Sequence, residues 1–96
     1  RVLVPSGQVA VESSGGYGGY AVSKAAAEAV ARGFAADIEQ AVGIVDPGIV
    51  ATELTGGQGR DPADVVGMFE WAATEVAETE LNGGRLGLAD WKKATR

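Results

Sequence analysis

Two hydrophobic periods alternate along the 96 residues, one of strand type and one of helix type. The chain opens with Val2-Leu3-Val4-Pro5-Ser6-Gly7, an apolar run stopped by Pro and Gly, which predicts a short buried strand ending in a hydroxyl. From Gln8 to Gly19 the chain is rich in Ser and Gly and predicts a loop. Helical periodicity then runs from Tyr20 to about Ile38. There Val22, Ala26, Val30, Phe34 and Ile38 recur every four residues, a row expected to pack on the sheet. Ala25, Ala26, Ala27, Ala29, Ala31, Ala35 and Ala36 make this helix small-sided all round, so that a second element can approach its outer side closely.

Ala41-Val42-Gly43-Ile44-Val45 predicts a second buried strand, with Asp46-Pro47-Gly48-Ile49-Val50-Ala51-Thr52 at its carboxyl end. Glu53 to Arg60, with Gly56, Gly57 and Gly59, reads as a short mobile loop. Asp61-Pro62-Ala63-Asp64 is a helix start: Asp61 as N-cap, Pro62 in the first helical position, Asp64 at the favourable end of the dipole. Val65, Val66, Phe69, Ala72, Ala73 and Val76 mark the expected buried face, with Met68 and Trp71 flanking it. Asn82-Gly83-Gly84 predicts a turn, and Arg85-Leu86-Gly87-Leu88 a short last strand before an amphipathic tail at Trp91. The order strand, helix, strand, helix, strand calls for parallel pairing with right-handed crossovers, as in half of a doubly wound α/β sheet.

Composition narrows the chemistry. A chain of 96 residues with 46% hydrophobic content suits one compact unit, near the size at which a core becomes marginal. Without Cys or His there is no thiol nucleophile, serine–histidine triad, disulfide or His/Cys zinc site, which leaves Tyr and Lys as proton carriers near neutral pH. A net charge of −5 speaks against a phosphate-backbone binder, so no nucleic-acid partner is expected. No apolar run approaches the ~20 residues of a membrane span and no signal sequence is visible, so a soluble, cytoplasmic protein is expected.

Tyr20-Ala21-Val22-Ser23-Lys24 places a phenol and an ammonium one helical turn apart. A cation beside a phenol favours the phenolate, which is the basis of proton-transfer chemistry. Ser6 lies 14 residues before Tyr20, and Pro47-Gly48 follows the second strand. Together, the strand-end Ser, the helical Tyr-x-x-x-Lys and the Pro-Gly-x-x-x-Thr turn resemble the short-chain dehydrogenase/reductase family, specifically the C-terminal part of its single-domain, carbonyl-reductase-like type. The resemblance runs from Val2 to about Leu86.

It implies a Rossmann-type fold and an oxidoreductase that moves a hydride between NAD or NADP and a small carbonyl or alcohol substrate. Tyr20 would be the acid/base, Lys24 would favour its phenolate and hold the cofactor ribose, and Ser6 would donate to the developing oxyanion. Pro47, Gly48, Val50 and Thr52 would meet the nicotinamide end, with Tyr20 and Lys24 beside the ribose. Relatives use the Tyr20 to Ile38 helix for dimerisation, so a homo-oligomer is expected. The resemblance implies no metal.

The 96 residues contain no strand followed by a Gly-x-x-x-Gly-x-Gly loop, so the chain is expected to be the C-terminal portion of one cofactor-binding domain and inactive on its own. Pro5 departs from the polar or small residue usual before the serine and removes a backbone donor. Three alternatives stand beside this reading. They are a nucleotide-sugar epimerase or dehydratase, a non-catalytic dimerisation or binding module of the same fold, and an unrelated acidic globular domain.

Overall fold

A computed structural model describes residues 1–11, 18–49 and 56–95. Three strands, β1 (Val2–Pro5), β2 (Val42–Asp46) and β3 (Arg85–Gly87), form one parallel sheet in the order β1-β2-β3. Val2 stands opposite Val42 and Pro5 opposite Val45, while Ile44 pairs with Arg85 and Asp46 with Gly87. Helix α1 (Gly18–Asp37) joins the first two strands. Helices α2 (Pro62–Thr74) and α3 (Glu78–Leu81) precede β3, and α4 (Leu88–Ala94) follows it. A 3-10 turn at Gln8–Ala10 lies between β1 and α1. The chain is thus an α/β unit with the predicted element order. Two short helices are added, and Leu88 begins a helix rather than ending a strand.

Strand alternation divides the core in two. Val4, Val42 and Ile44 pack with Ala31 and Ala35 of α1. Leu3, Val45 and Leu86 pack with Met68 and Ala72 of α2, joined by Val76 and Leu81. The two crossover helices therefore lie on opposite faces of the sheet. Because the strands follow one another in the same direction across the sheet, crossovers on opposite faces have opposite hands, so one of the two is left-handed. This corrects the expectation of right-handed connections throughout, which hold in about 98% of parallel βαβ units. The physical reason is coverage: with both helices on one face, Leu3, Val45 and Leu86 would face water. The second connection is also long and ends in an Asn82-Gly83-Gly84 turn, so it can reach round.

The inward face of α1 differs from the one expected. Val22, Val30, Phe34 and Ile38 are exposed, whereas Glu28, Ala31 and Ala35 are buried. A spacing of four overshoots a helical turn by about 40° per step, so the row from Val22 to Ile38 sweeps about 160° and cannot face one plane. Lys24, Glu28, Ala31 and Ala35, spaced four, three and four, hold one face.

In α2 the buried stripe is Val65, Met68 and Ala72, continued by Val76; Val66 is exposed and Met68, expected to flank, is fully buried at the centre. Asp61 caps α2 as predicted, accepting the Ala63 N–H at 2.9 Å, with Pro62 in the first turn.

β1 is an edge strand with exposed ends and only Leu3 and Val4 half-buried, not the buried strand its apolar run suggested. The N–H groups of Val2 and Ser6 donate to Ala41 and Val45. By the two-residue period, the N–H positions of Leu3 and Pro5 point to the open edge. Pro5 therefore removes its donor from the unpaired side, where proline is tolerated in a sheet.

Two contacts bring the second crossover tight against β2. A Cβ on Gly43 would come within 2.8 Å of the Leu81 carbonyl oxygen, so only glycine lets α3 pass there. Asn82 donates to the Ala35 carbonyl at 3.0 Å and accepts the Val42 N–H at 3.0 Å, tying the last turn of α1 to the start of β2.

Candidate functional site

The carboxyl ends of β1 and β2 gather most of the polar side chains that the fold buries. Ser6 follows β1 and Asp46 ends β2, and both are buried on the α1 side of the sheet together with Glu28 of α1. Ser6 Oγ donates to Glu28 Oε2 at 2.5 Å, a charge-assisted bond when the carboxylate is ionised. Arg85, at the start of β3, reaches over the same face. Its Nε donates to both Glu28 oxygens at 3.2 and 3.3 Å. Its Nη2 donates to Asp46 Oδ2 at 3.0 Å and to the Gly7 carbonyl at 2.9 Å. Arg32, one turn beyond Glu28, adds a looser ion pair at 3.8 Å.

Burial alone would push the Arg85 guanidinium down, but the hydrogen bonds and charges of Glu28 and Asp46 outweigh it and hold it above its ordinary value. Arg85 is therefore a permanent cation between two buried acids, and this pairing is what makes their burial tolerable.

The turn expected to face the nicotinamide belongs to the same network. Asp46 Oδ1 accepts the Gly48 N–H at 2.9 Å, closing a side-chain turn around Pro47. Gly48 has φ +77, a backbone conformation that favours glycine, and a Cβ there would meet Leu88 Cδ1 at 3.0 Å. A continuous hydrogen-bond path thus runs from Gly48 through Asp46, Arg85 and Glu28 to Ser6.

Tyr20 and Lys24 stand further along α1. Lys24 Nζ lies 5.7 Å from the centroid of the Tyr20 ring, within cation–π range. Tyr20 is 39% exposed, Lys24 is half-buried and Glu28 is buried, so the face carrying all three runs from solvent into the sheet. Glu28 is eight residues, or about 12 Å along the axis, from Tyr20. The helix thus aligns the predicted phenol and ammonium with the residue that holds the predicted serine. Val50 and Thr52 lie outside the described residues, as does Tyr17.

Glu28, Asp46 and Arg85 were not singled out by the sequence. Glu28 does carry a signal, since it continues the Tyr20 and Lys24 spacing by one more turn within a run of alanines. Arg85 carries none, because its partners are 39 and 57 positions away.

Two clefts among the described residues lie elsewhere. One, of about 440 Å³, is an apolar groove between β1 and α1 lined by Val2, Val4, Val30 and Phe34. The other, of about 330 Å³, lies between α2 and α4 beside Trp71 and Trp91. Among the described residues no group of three or more His, Cys, Asp or Glu is placed to hold a metal ion, and no helix is long and apolar enough to cross a membrane. No protein-family model, curated protein or solved structure matches the chain.

Proposed function

We propose that this chain supplies the substrate and nicotinamide side of an NAD- or NADP-dependent oxidoreductase of the short-chain dehydrogenase/reductase type, acting on a carbonyl or alcohol. The observation that carries the proposal is the placement of Lys24 Nζ 5.7 Å from the Tyr20 ring centroid, on the helix face that leads to Ser6. Ser6 and Pro47-Gly48 follow the carboxyl ends of neighbouring parallel strands, which is where open α/β sheets bind ligands. The parallel sheet is accordingly read as the C-terminal half of a doubly wound, Rossmann-type sheet.

The residues suit one end of a nicotinamide cofactor. The Lys24 ammonium fits a ribose hydroxyl pair, and the left-handed backbone of Gly48 shapes the turn that would meet the nicotinamide end. Nothing in the 96 residues matches a Gly-x-x-x-Gly-x-Gly loop for the pyrophosphate, so that part of the site would come from sequence outside them. When bound, the cofactor supplies or accepts the hydride. Tyr20 gives its Oη proton to the carbonyl oxygen in reduction and takes it back in oxidation, while Lys24 holds positive charge beside the ring. Ser6 fixes the substrate oxygen. Loss of turnover in Tyr20→Phe of the full-length protein is the test.

A second reading, a non-catalytic dimerisation or binding module of the same fold, is favoured by one feature. Val22, Val30 and Phe34 of α1 are large, apolar and exposed, and Val30 and Phe34 line the groove beside β1. Both readings accommodate a homo-oligomer through that helix. They part on turnover: a module has none, and Tyr20→Phe leaves its assembly unchanged.

A further inference from the structure

We infer that Glu28 is a positioning residue that restrains Ser6, holding the serine proton away from the substrate so that a carbonyl must compete with a carboxylate for it. The inference rests on the proposed oxidoreductase reading and adds to it a determinant of substrate affinity.

The argument is a count of donors. A serine hydroxyl has one proton. In this structure that proton is directed to Glu28 Oε2 at 2.5 Å, inside a site where Ser6 is 9% and Glu28 3% exposed. The proposed chemistry needs the same proton on the substrate oxygen. Ser6 cannot serve both acceptors at once, and a carboxylate is a stronger acceptor than a neutral carbonyl.

Glu28 is not free to withdraw. Arg85 Nε holds both of its oxygens, and Arg85 is itself pinned by Asp46 and the Gly7 carbonyl. The carboxylate therefore stays where it is while the serine proton turns, and the cost of turning falls on substrate binding. Because Asp46 also fixes the Gly48 N–H, the same network sets the turn opposite Ser6.

Two substitutions separate restraint from simple support. Glu28→Gln retains an oxygen for Arg85 and offers an N–H to Ser6 Oγ, which frees the serine proton. Glu28→Asp keeps the charge for Arg85 but withdraws the oxygens from Ser6 by about 1.5 Å, one carbon–carbon bond.

The test is steady-state reduction of a small aromatic vicinal diketone by the full-length protein, with NADH and NADPH tried in turn. Folding of each variant is checked by thermal melting. Both variants are expected to lower KM for the diketone roughly 3- to 10-fold, the change falling on KM rather than on kcat. In a Ser6→Ala background Glu28→Gln should lose this effect.

A KM that is unchanged or higher in both variants overturns the inference, as does unfolding of both, which would make Glu28 a support of the core. If such a result comes with an inactive Tyr20→Phe, the oxidoreductase reading survives it. If the wild-type protein does not turn over, or Tyr20→Phe is as active as wild type, the reading falls and the inference with it.

Discussion

Arg85 at the start of β3 pairs with Glu28 in the middle of α1 at 3.2 Å, joining the last strand to the first crossover helix across 57 positions of sequence. The same guanidinium holds Asp46, so one cation serves two buried carboxylates. Removing it leaves both acids desolvated, with the Ser6 hydrogen bond and a loose Arg32 ion pair at 3.8 Å left to Glu28 and the Gly48 N–H left to Asp46. Arg85→Met is expected to destabilise by about 3 kcal/mol, the scale for breaking a buried pair from one side. Arg85→Lys should lose less, since it restores charge but not the forked geometry. Urea unfolding of the three proteins checks the order.

The pH dependence of this pair has a definite sign. The folded state holds the Arg85 pKa above its ordinary value, so the stability it contributes is fully present below the unfolded pKa and is lost only as pH rises through the folded one. The stability difference between wild type and Arg85→Met should therefore stay level from about pH 7 to about pH 10, well below the arginine range. A difference that shrinks steadily across that interval, measured by urea unfolding at stepped pH, contradicts the assignment.

Two glycines should respond oppositely to alanine. At Gly43 a methyl would overlap Leu81 Cδ1 and lie 2.8 Å from the Leu81 carbonyl oxygen, so α3 must move away from β2. Gly43→Ala is expected to cost about 1–3 kcal/mol, the range for overpacking. Gly33, on the exposed side of α1, has nothing within 4 Å of the place a methyl would take. Gly33→Ala should therefore gain about 0.5–1 kcal/mol from helix propensity. Thermal melts of both variants are sufficient, and a stable Gly43→Ala protein would show that α3 does not pack as described.

The two tyrosines divide the proposed chemistry. Tyr20 shares a face of α1 with Lys24, whereas Tyr17 precedes Gly18 and Gly19 and lies outside the described residues. In the full-length protein Tyr20→Phe, which deletes only the hydroxyl, is expected to lower kcat at least roughly 100-fold with cofactor affinity little changed. Tyr17→Phe should cost at most a few-fold, mainly in substrate affinity. Carbonyl reduction by both variants at several pH values decides between them; an active Tyr20→Phe beside an inactive Tyr17→Phe would move the motif by one turn.

Lys24 carries two assigned tasks with one ammonium. Lys24→Met should lower kcat and weaken cofactor binding together, because both depend on the same charge. Kinetics against pH, with cofactor titration of the same variant, give both numbers; if neither changes, Lys24 is outside the site.

What the chain determined locally is clear in particular residues. Asp61 and Pro62 start α2 where their cap chemistry demands, and a Pro47-Gly48 turn follows β2 as the sequence places it. Three strands and two long helices in that order already called for a parallel α/β sheet. These features depend on neighbours within a few positions, and short-range sterics and hydrogen bonding settle them. The spacing of Tyr20 and Lys24 is of the same kind.

Only the tertiary structure decided which face of α1 turns inward. The regular row from Val22 to Ile38 drifts around the helix, while two alanines and Glu28 fit the close approach to β2. It also decided that α2 lies on the opposite face from α1, which reverses the hand of one crossover; burial of both faces of the sheet required it, and no local signal encodes a hand. The Ser6, Glu28, Arg85 and Asp46 network was invisible for the same reason. Its members come from the loop after β1 and from α1, β2 and β3, spread over nearly the whole chain. A buried charge is tolerable only where its partner arrives in space, and sequence distance carries no trace of that meeting.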